Sequence, residues 1–280
     1  MKRYYLHVAT AIILALLISG TTHAQDEPVL PPFETNTLID NQTSVTPYKG
    51  SLSMEIQHRF SQIKEISDIF GIYGSANTRL GLTYGITDKI MVGFGTTRTN
   101  KLQDLEWKYN FLTQKQSWKV PLSMTYYGNV VLDARDSKYF GPEPKFAYRL
   151  SYLTQLIMSM RIGEWFSYQV APTFVYFNAV PEGYRNENLS VNAGLRFQVL
   201  GFHSIILEYD QPLLQPTGDN AKTIYPNVAL GLEIGTSTHS FRVFASNYNS
   251  IVKNHDVAFN DRNPFDGDFQ FGFNITIRFR

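Results

Sequence analysis

From Asp268 to Phe279 apolar and polar side chains alternate. Phe269, Phe271, Phe273, Ile275, Ile277 and Phe279 fall on one face; Gln270, Gly272, Asn274, Thr276 and Arg278 fall on the other. A period of two marks an extended strand with one greasy and one polar side. The pattern recurs from Arg79 to Ile86, where Leu80, Leu82, Tyr84 and Ile86 oppose Arg79, Gly81, Thr83 and Gly85, and again from Val191 to Val199. Measured against the ~9 to 11 residues that a tilted membrane-crossing strand needs, such runs predict about twelve strands. They start near Leu52, Thr78, Lys89, Leu102, Trp118, Phe146, Trp165, Leu189, His203, Asn227, His239 and Asp268.

The joints between these runs alternate in length. Short ones are Thr87-Asp88, Thr113 to Ser117, Arg161 to Glu164, Leu200 to Phe202 and Gly235 to Thr238. Longer ones are Ser61 to Asn77, Asp133 to Lys145, Asn178 to Asn188, Gln211 to Pro226 and Asn247 to Gly267, with the short Arg98 to Lys101 as the exception. Sorting loop length by side predicts an all-β fold: a transmembrane antiparallel β-barrel of about twelve strands, with short periplasmic turns and long extracellular loops. A soluble sandwich also alternates but has no reason to sort its loops. Tyr, Phe and Trp near many strand ends suit interfacial girdles.

With the apolar faces in lipid, parity places Glu55, Arg59, Arg79, Asp104, Glu106, Lys108, Arg149, Arg196, Glu208, Glu233, Arg242 and Arg278 on the inner wall. Charges of both signs there predict cross-strand ion pairs. Inward glycines (Gly81, Gly85, Gly93, Gly95, Gly194 and Gly231) are expected to leave room for a passage. A twelve-strand lumen lies between packed eight-strand and open sixteen-strand barrels.

The chain start changes the compartment. Lys2 and Arg3, the apolar run Val8 to Ile18 and the small-residue end Thr22-His23-Ala24 form an export signal over residues 1–24. Its apolar run is too short to span a bilayer. No Cys follows, which excludes a lipid anchor there, and the whole chain lacks Cys, which excludes disulfides, thiolate metal sites and covalent haem. Removing Lys2 and Arg3 from the 25 basic residues leaves 23 against 24 acidic ones, a mature charge of −1. Residues 25–49, with Pro28, Pro31, Pro32 and Pro47, read as a periplasmic extension, a disordered leader in preference to a lumen plug, ahead of a barrel over 50–280. Ile63, Ile66, Ile69 and Phe70 stand at helical spacing, which predicts a short amphipathic helix over Ser61 to Phe70.

Candidate chemistry is sparse. His203-Ser204 and His239-Ser240 are strand neighbours and point to opposite faces, so neither pairs a nucleophile with its base; His58 reads as an interfacial imidazole. Asp133, Asp136 and Glu143 in one loop, and Asp256, Asp261, Asp266 and Asp268 in another, lack EF-hand spacing and read as solvated acidic loops. Phosphate-cradling loops, zinc spacings and a basic nucleic-acid surface are absent. No cofactor, metal or catalytic residue is expected.

The stretches Ile56-Gln-His-Arg-Phe60, Asp68-Ile-Phe-Gly71, Asn77-Thr-Arg-Leu-Gly-Leu-Thr-Tyr-Gly-Ile-Thr-Asp88, Met91-Val-Gly-Phe-Gly95, Lys108-Tyr109, Arg149-Leu-Ser-Tyr152, Ala171-Pro-Thr173 and Phe271-Gly-Phe-Asn-Ile275 resemble a family of Bacteroidota outer-membrane β-barrels of unknown function. A His that often follows the Ser-Tyr of the sixth strand in that family is absent here, and Thr154 stands in its region. The resemblance implies one outer-membrane barrel and no activity. The expected function is a narrow channel for small solutes. The alternatives are a structural or assembly barrel holding a periplasmic or surface partner, such as an electron-carrying protein, and a lipid-modifying enzyme of the outer membrane. Expected partners are outer-membrane lipid and the barrel-assembly machinery, and no nucleic acid.

Overall fold

The computed structural model describes residues 26–63 and 71–279. Residues 1–24, read as the export signal, lie outside these, as does most of the helix expected over Ser61 to Phe70, whose first residues instead extend a strand. The described residues form a closed barrel of twelve antiparallel strands, each paired with its chain neighbours. In order they are β1 (Leu52–Gln62), β2 (Asn77–Thr87), β3 (Ile90–Thr97), β4 (Leu102–Leu112), β5 (Ser123–Asp133), β6 (Leu150–Ile162), β7 (Phe166–Phe177), β8 (Glu187–Leu200), β9 (His203–Pro212), β10 (Asn227–Gly235), β11 (His239–Ser246) and β12 (Gln270–Phe279). Closure runs through β1 and β12, with Ile56 opposite Ile275 and Met54 opposite Ile277. A closed sheet has no free edge, so every wall strand finds ladder partners on both sides without water.

Alternation sorts the two faces as the period of two demands. Leu80, Leu82, Tyr84, Phe94, Leu105, Leu230, Leu232 and Val243 point outward and are exposed, whereas Arg79, Thr83, Asp104 and Glu233 point inward and are buried. His58 stacks on Phe273 with ring centroids 5.0 Å apart on the outer face.

Two strands start later than the alternation suggests. β5 begins at Ser123, because Lys115 and Trp118 close a turn in which Trp118 adopts φ 61°. β6 begins at Leu150, because Phe146–Arg149 form a 3-10 turn. The joint between β4 and β5 is therefore longer than expected, and it has a use. Val29 N–H donates to the Gln114 carbonyl (3.1 Å), Gln116 N–H to the Glu27 carbonyl (3.0 Å) and Lys115 Nζ to the Asp26 carbonyl (2.8 Å). This turn holds residues 26–29.

The segment that follows is not a leader outside the barrel. Residues 33–44 are almost wholly buried in the lumen, and the chain returns at Thr46, whose hydroxyl donates to the Asp88 carbonyl beside the β2–β3 turn. Both ends of the insertion therefore sit at the short-turn end. From the long-loop end, the β11–β12 connection also turns inward and carries helix α1 (Lys253–Phe259). Its Asp256 is 1% exposed, against the solvated acidic loop expected from sequence, whereas Asp261 and Asp266 of the same connection are exposed as expected.

Burial explains why both segments enter. Several inward positions break the polar rule. Ile206, Ala229 and Phe244 cluster with Phe33, Leu38, Ile39 and Tyr248. Tyr127, Leu153, Ile157, Ala171, Val175 and Phe177 cluster with Val257 and Ala258 of α1. A fully buried Leu, Ile or Phe side chain contributes about 1.5 to 3 kcal/mol, so these patches favour a filled lumen.

Candidate functional site

Residues 33–45 form a small hairpin plug. Leu38 N–H donates to the Asn41 carbonyl (2.8 Å) and Thr43 N–H to the Asn36 carbonyl (2.9 Å), which brings Ile39 and Asp40 to the tip. At that tip Ile39, Asp40 and Asn41 turn their backbone N–H groups onto the Glu208 carboxylate of β9, at 2.6, 3.1 and 2.8 Å. Consecutive amides converging on one anion form a nest, and here the nest belongs to the plug while the anion belongs to the wall.

The remaining anchors come from strands around the barrel. Asp40 pairs with Arg59 of β1 at 2.5 Å. Arg242 of β11 donates to the Thr37 and Leu38 carbonyls at 2.6 and 2.7 Å and pairs with Glu55 at 2.6 Å. Asn274 of β12 donates to the Ile39 carbonyl at 2.6 Å. Lys108 of β4 extends Nζ to the Asn36 and Thr43 carbonyls at 2.5 and 2.9 Å. Gln169 of β7 donates to the Gln42 carbonyl at 2.8 Å, and Gln42 donates to Glu106 at 3.2 Å. Because each of these main-chain carbonyls and each carboxylate meets at least one donor, much of the cost of burying them is offset, although Asp40 Oδ2 and the Gln42 and Gln169 side-chain oxygens have no partner among the described residues.

Of the twelve residues assigned inward by parity, Glu55, Arg59, Arg79, Asp104, Glu106, Lys108, Arg196, Glu208, Glu233 and Arg242 are buried in the lumen. Arg79 of β2 pairs with Asp104 of β4 at 2.5 Å and Arg196 of β8 with Glu233 of β10 at 2.7 Å, each reaching past one intervening strand. The other two stand apart. Arg278 lies at the short-turn mouth, where it pairs with Glu34 at 2.7 Å. Arg149 belongs to the 3-10 turn before β6 at the opposite mouth and donates to the Asp133 carbonyl at 2.9 Å.

The inward glycines do not leave an open path, contrary to the sequence expectation. A Cβ at Gly95 or Gly81 would meet the Arg79 guanidinium at 2.4 and 2.7 Å, and one at Gly194 would meet Leu38 of the plug at 2.9 Å. At Gly85 it would lie 2.2 Å from the Tyr48 carbonyl oxygen, where the returning chain runs against the wall. The missing side chains admit the plug and long cations rather than solute.

The long-loop side meets the plug directly. Tyr248 donates its hydroxyl to Glu208 at 3.2 Å, Lys253 pairs with Asp210 at 2.7 Å, and Asn41 of the plug donates to the other oxygen of Asp210 at 2.7 Å. Glu208 and Asp210 are thus shared by the plug from one end and the loop from the other. Burial raises Asp256 well above the usual carboxylate range, and the carboxylates of Asp40 and Asp210 add to that shift against the opposing charge of Lys253. Among the described residues no three His, Cys, Asp or Glu side chains are arranged to hold a metal ion. Thr154, where the resembled family carries a His, faces outward and donates to the Tyr126 hydroxyl at 3.2 Å.

Strand-by-strand reading misses the plug because its residues lie outside the alternating runs. The usable signals are the apolar Phe33, Leu38 and Ile39 in a largely polar leader, and apolar residues such as Ile206 and Phe244 at lumen parity.

No curated protein matches this sequence. Among solved structures, the NanC porin is 8% identical with a TM-score of 0.49, covering 82% of this chain and 99% of that one. An outer membrane channel from Pseudomonas putida F1 is 10% identical with a TM-score of 0.48, covering 84% and 97%. Outer membrane phospholipase A from Escherichia coli is 12% identical with a TM-score of 0.42, covering 86% and 97%. The sequence model of the membrane bound beta barrel domain DUF5777 matches residues 33–279, a span that takes in the plug as well as every strand. The chain belongs to this family of membrane-bound β-barrels.

Proposed function

We propose that the protein is an outer-membrane channel for small solutes, with its short turns in the periplasm, and that the plug over residues 33–45 holds it closed. One observation carries this reading. The surface between plug and wall is made chiefly of charged and amide groups, among them Glu55, Arg59, Lys108, Glu208, Arg242 and Asn274, so a wall left by a withdrawn plug is wettable. A barrel serving only as a scaffold has no need of a polar interior and fills more cheaply with apolar side chains. The plug is a single hairpin entering and leaving at one mouth, so it can withdraw without threading the barrel. The reading assigns no catalytic role to the chain.

Ion current across planar bilayers tests it. Full mature protein is expected to be closed with brief openings, while a variant beginning at Pro47 is open far more of the time, its remaining closures set by the inward β11–β12 connection. A truncated barrel that folds, as shown by a gel shift on boiling, yet passes no current would leave the structural reading in its place.

A further inference from the structure

At the long-loop mouth, outside the plugged lumen, the structure holds an open space that the closure does not use. It is a cavity of about 610 Å³ between the β5–β6 connection, the β7–β8 connection and α1. Its volume falls within the roughly 300 to 1,000 Å³ of small-molecule sites. Tyr139, Phe140, Tyr148, Phe177, Tyr184 and Phe259 line it, together with Arg135 and Arg149. We propose that this vestibule binds a small carboxylate carried on a six-membered ring, as the recognition step ahead of passage.

Charge points to an anion. The guanidiniums of Arg135 and Arg149 face a single lining carboxylate, Asp133, which Arg135 already neutralises at 2.6 Å. His255 adds no opposing or supporting charge, because burial pushes its imidazole down to about 4. In the connecting segment 134–149, Arg135, Lys138, Lys145 and Arg149 outnumber Asp136 and Glu143. This local excess attracts anions to the β5–β6 side of the mouth.

Geometry points to a ring. Arg149 lies over Phe140 at 4.5 Å, its Nη1 donating to the Asp133 and Arg135 carbonyls and its Nη2 to Ser137, and Arg135 lies over Tyr139 at 4.8 Å, so an aromatic ring backs each guanidinium. Arg135 spends Nε and Nη2 on Asp133, which leaves the Nη1 edge for a further acceptor. On the opposite wall, Phe177 and Tyr184 each pack edge-on against Phe259, at 4.9 and 5.0 Å. Aromatic walls with oriented guanidiniums accept a flat or puckered ring by its face and its carboxylate by charge-assisted hydrogen bonds. The floor of the cavity is α1, whose loop shares Glu208 and Asp210 with the plug, so an occupant rests on a loop that meets the plug.

The proposal takes its sense from the channel reading, but its test does not depend on current. Calorimetry on the full mature protein in detergent uses benzoate and glucuronate as the two ring carboxylates, with benzyl alcohol and glucose as their uncharged counterparts. Saturable binding of at least one acid is expected, about tenfold or more tighter than its neutral counterpart, as loss of a charge-assisted hydrogen bond implies. Which acid binds separates an aromatic from a sugar source. Arg135→Gln, which keeps a donor for Asp133, should weaken binding by a similar factor, and Tyr184→Ala should weaken it through the opposite wall while leaving the Asp133 pair intact. Absence of saturation with both acids, equal binding of the neutral compounds, or wild-type affinity in both folded variants would overturn the proposal. Binding without current in any variant would refute the channel reading and leave the site standing.

Discussion

Asp40, at the tip of the plug, and Arg59, in the first wall strand, form an ion pair of 2.5 Å in which neither side chain is exposed to solvent. The Arg59 guanidinium also lies 4.4 Å over the Phe244 ring and donates to Asn274 at 2.9 Å, so it stays partly satisfied without Asp40. Among the described residues, Asp40 has only Gln57 as its other side-chain donor, at 3.2 Å. The two substitutions are therefore unequal. Arg59→Ala strands a buried carboxylate and should lower unfolding stability by about 3 to 5 kcal/mol, while Asp40→Ala should cost less and raise the open fraction in bilayer recordings. The double variant should lose less stability than the two singles added together. Strict additivity would show that the pair does not form in the membrane.

Leu230 and Gly231 are neighbours on β10 that face opposite environments. Leu230→Arg puts a cation into mid-bilayer at about 2 to 4 kcal/mol and should reduce the folded fraction in the membrane. Gly231 offers no lumen space, because a Cβ there would lie 2.6 Å from the Phe244 Cβ and 2.7 Å from the Val243 carbonyl oxygen. Even Gly231→Ala should therefore lower the temperature of the gel shift. An Ala variant as stable as the wild type would mean that the β10–β11 register relaxes.

Helix α1 carries two groups that answer pH in opposite directions. His255 is pushed down from 6.5 to about 4 by burial, with Arg135 adding to the effect and Asp133 opposing it. The undocked loop then binds more protons, so docking loses stability as pH falls from 6.5 towards about 4. Asp256 is raised instead, so its docked form favours the proton and docking loses stability as pH rises above the usual carboxylate value of 3.8. Wild type should thus show a shallow profile. Asp256→Asn should leave only the acid-side loss, and His255→Gln only the loss on the alkaline side. The labelling rate of Asn254→Cys reads docking; the same profile in all three proteins would exclude both groups.

Orientation is testable with introduced thiols, since the chain has no Cys. Ser137 is exposed in a long connection and Thr236 is exposed in a short turn. With short turns in the periplasm, Ser137→Cys should react with an impermeant reagent on intact cells and Thr236→Cys should not. Asn254 also belongs to a long connection, but it is buried and donates to Ser151 at 3.1 Å, so its thiol should react slowly. Reversed labelling of the first two would invert the proposed orientation.

The sequence by itself determined the wall. Side-chain direction in a strand depends only on parity, so Leu80 against Arg79 and Leu232 against Glu233 could be sorted without any partner. Strand starts were legible except at Ser123 and Leu150, where a turn and a 3-10 segment begin with residues that suit a strand equally well. What filled the lumen was a tertiary decision. The Glu208 carboxylate becomes a plug site only because the backbone amides of Ile39, Asp40 and Asn41, some 170 positions away, converge on it. Main-chain amides are the same in every residue except proline and leave no mark in a sequence. Likewise Ile206 and Phe244 look like errors of alternation until Phe33 and Leu38 lie against them. Local periodicity fixes which face a residue takes, whereas closure of the barrel brings distant segments into the space between those faces.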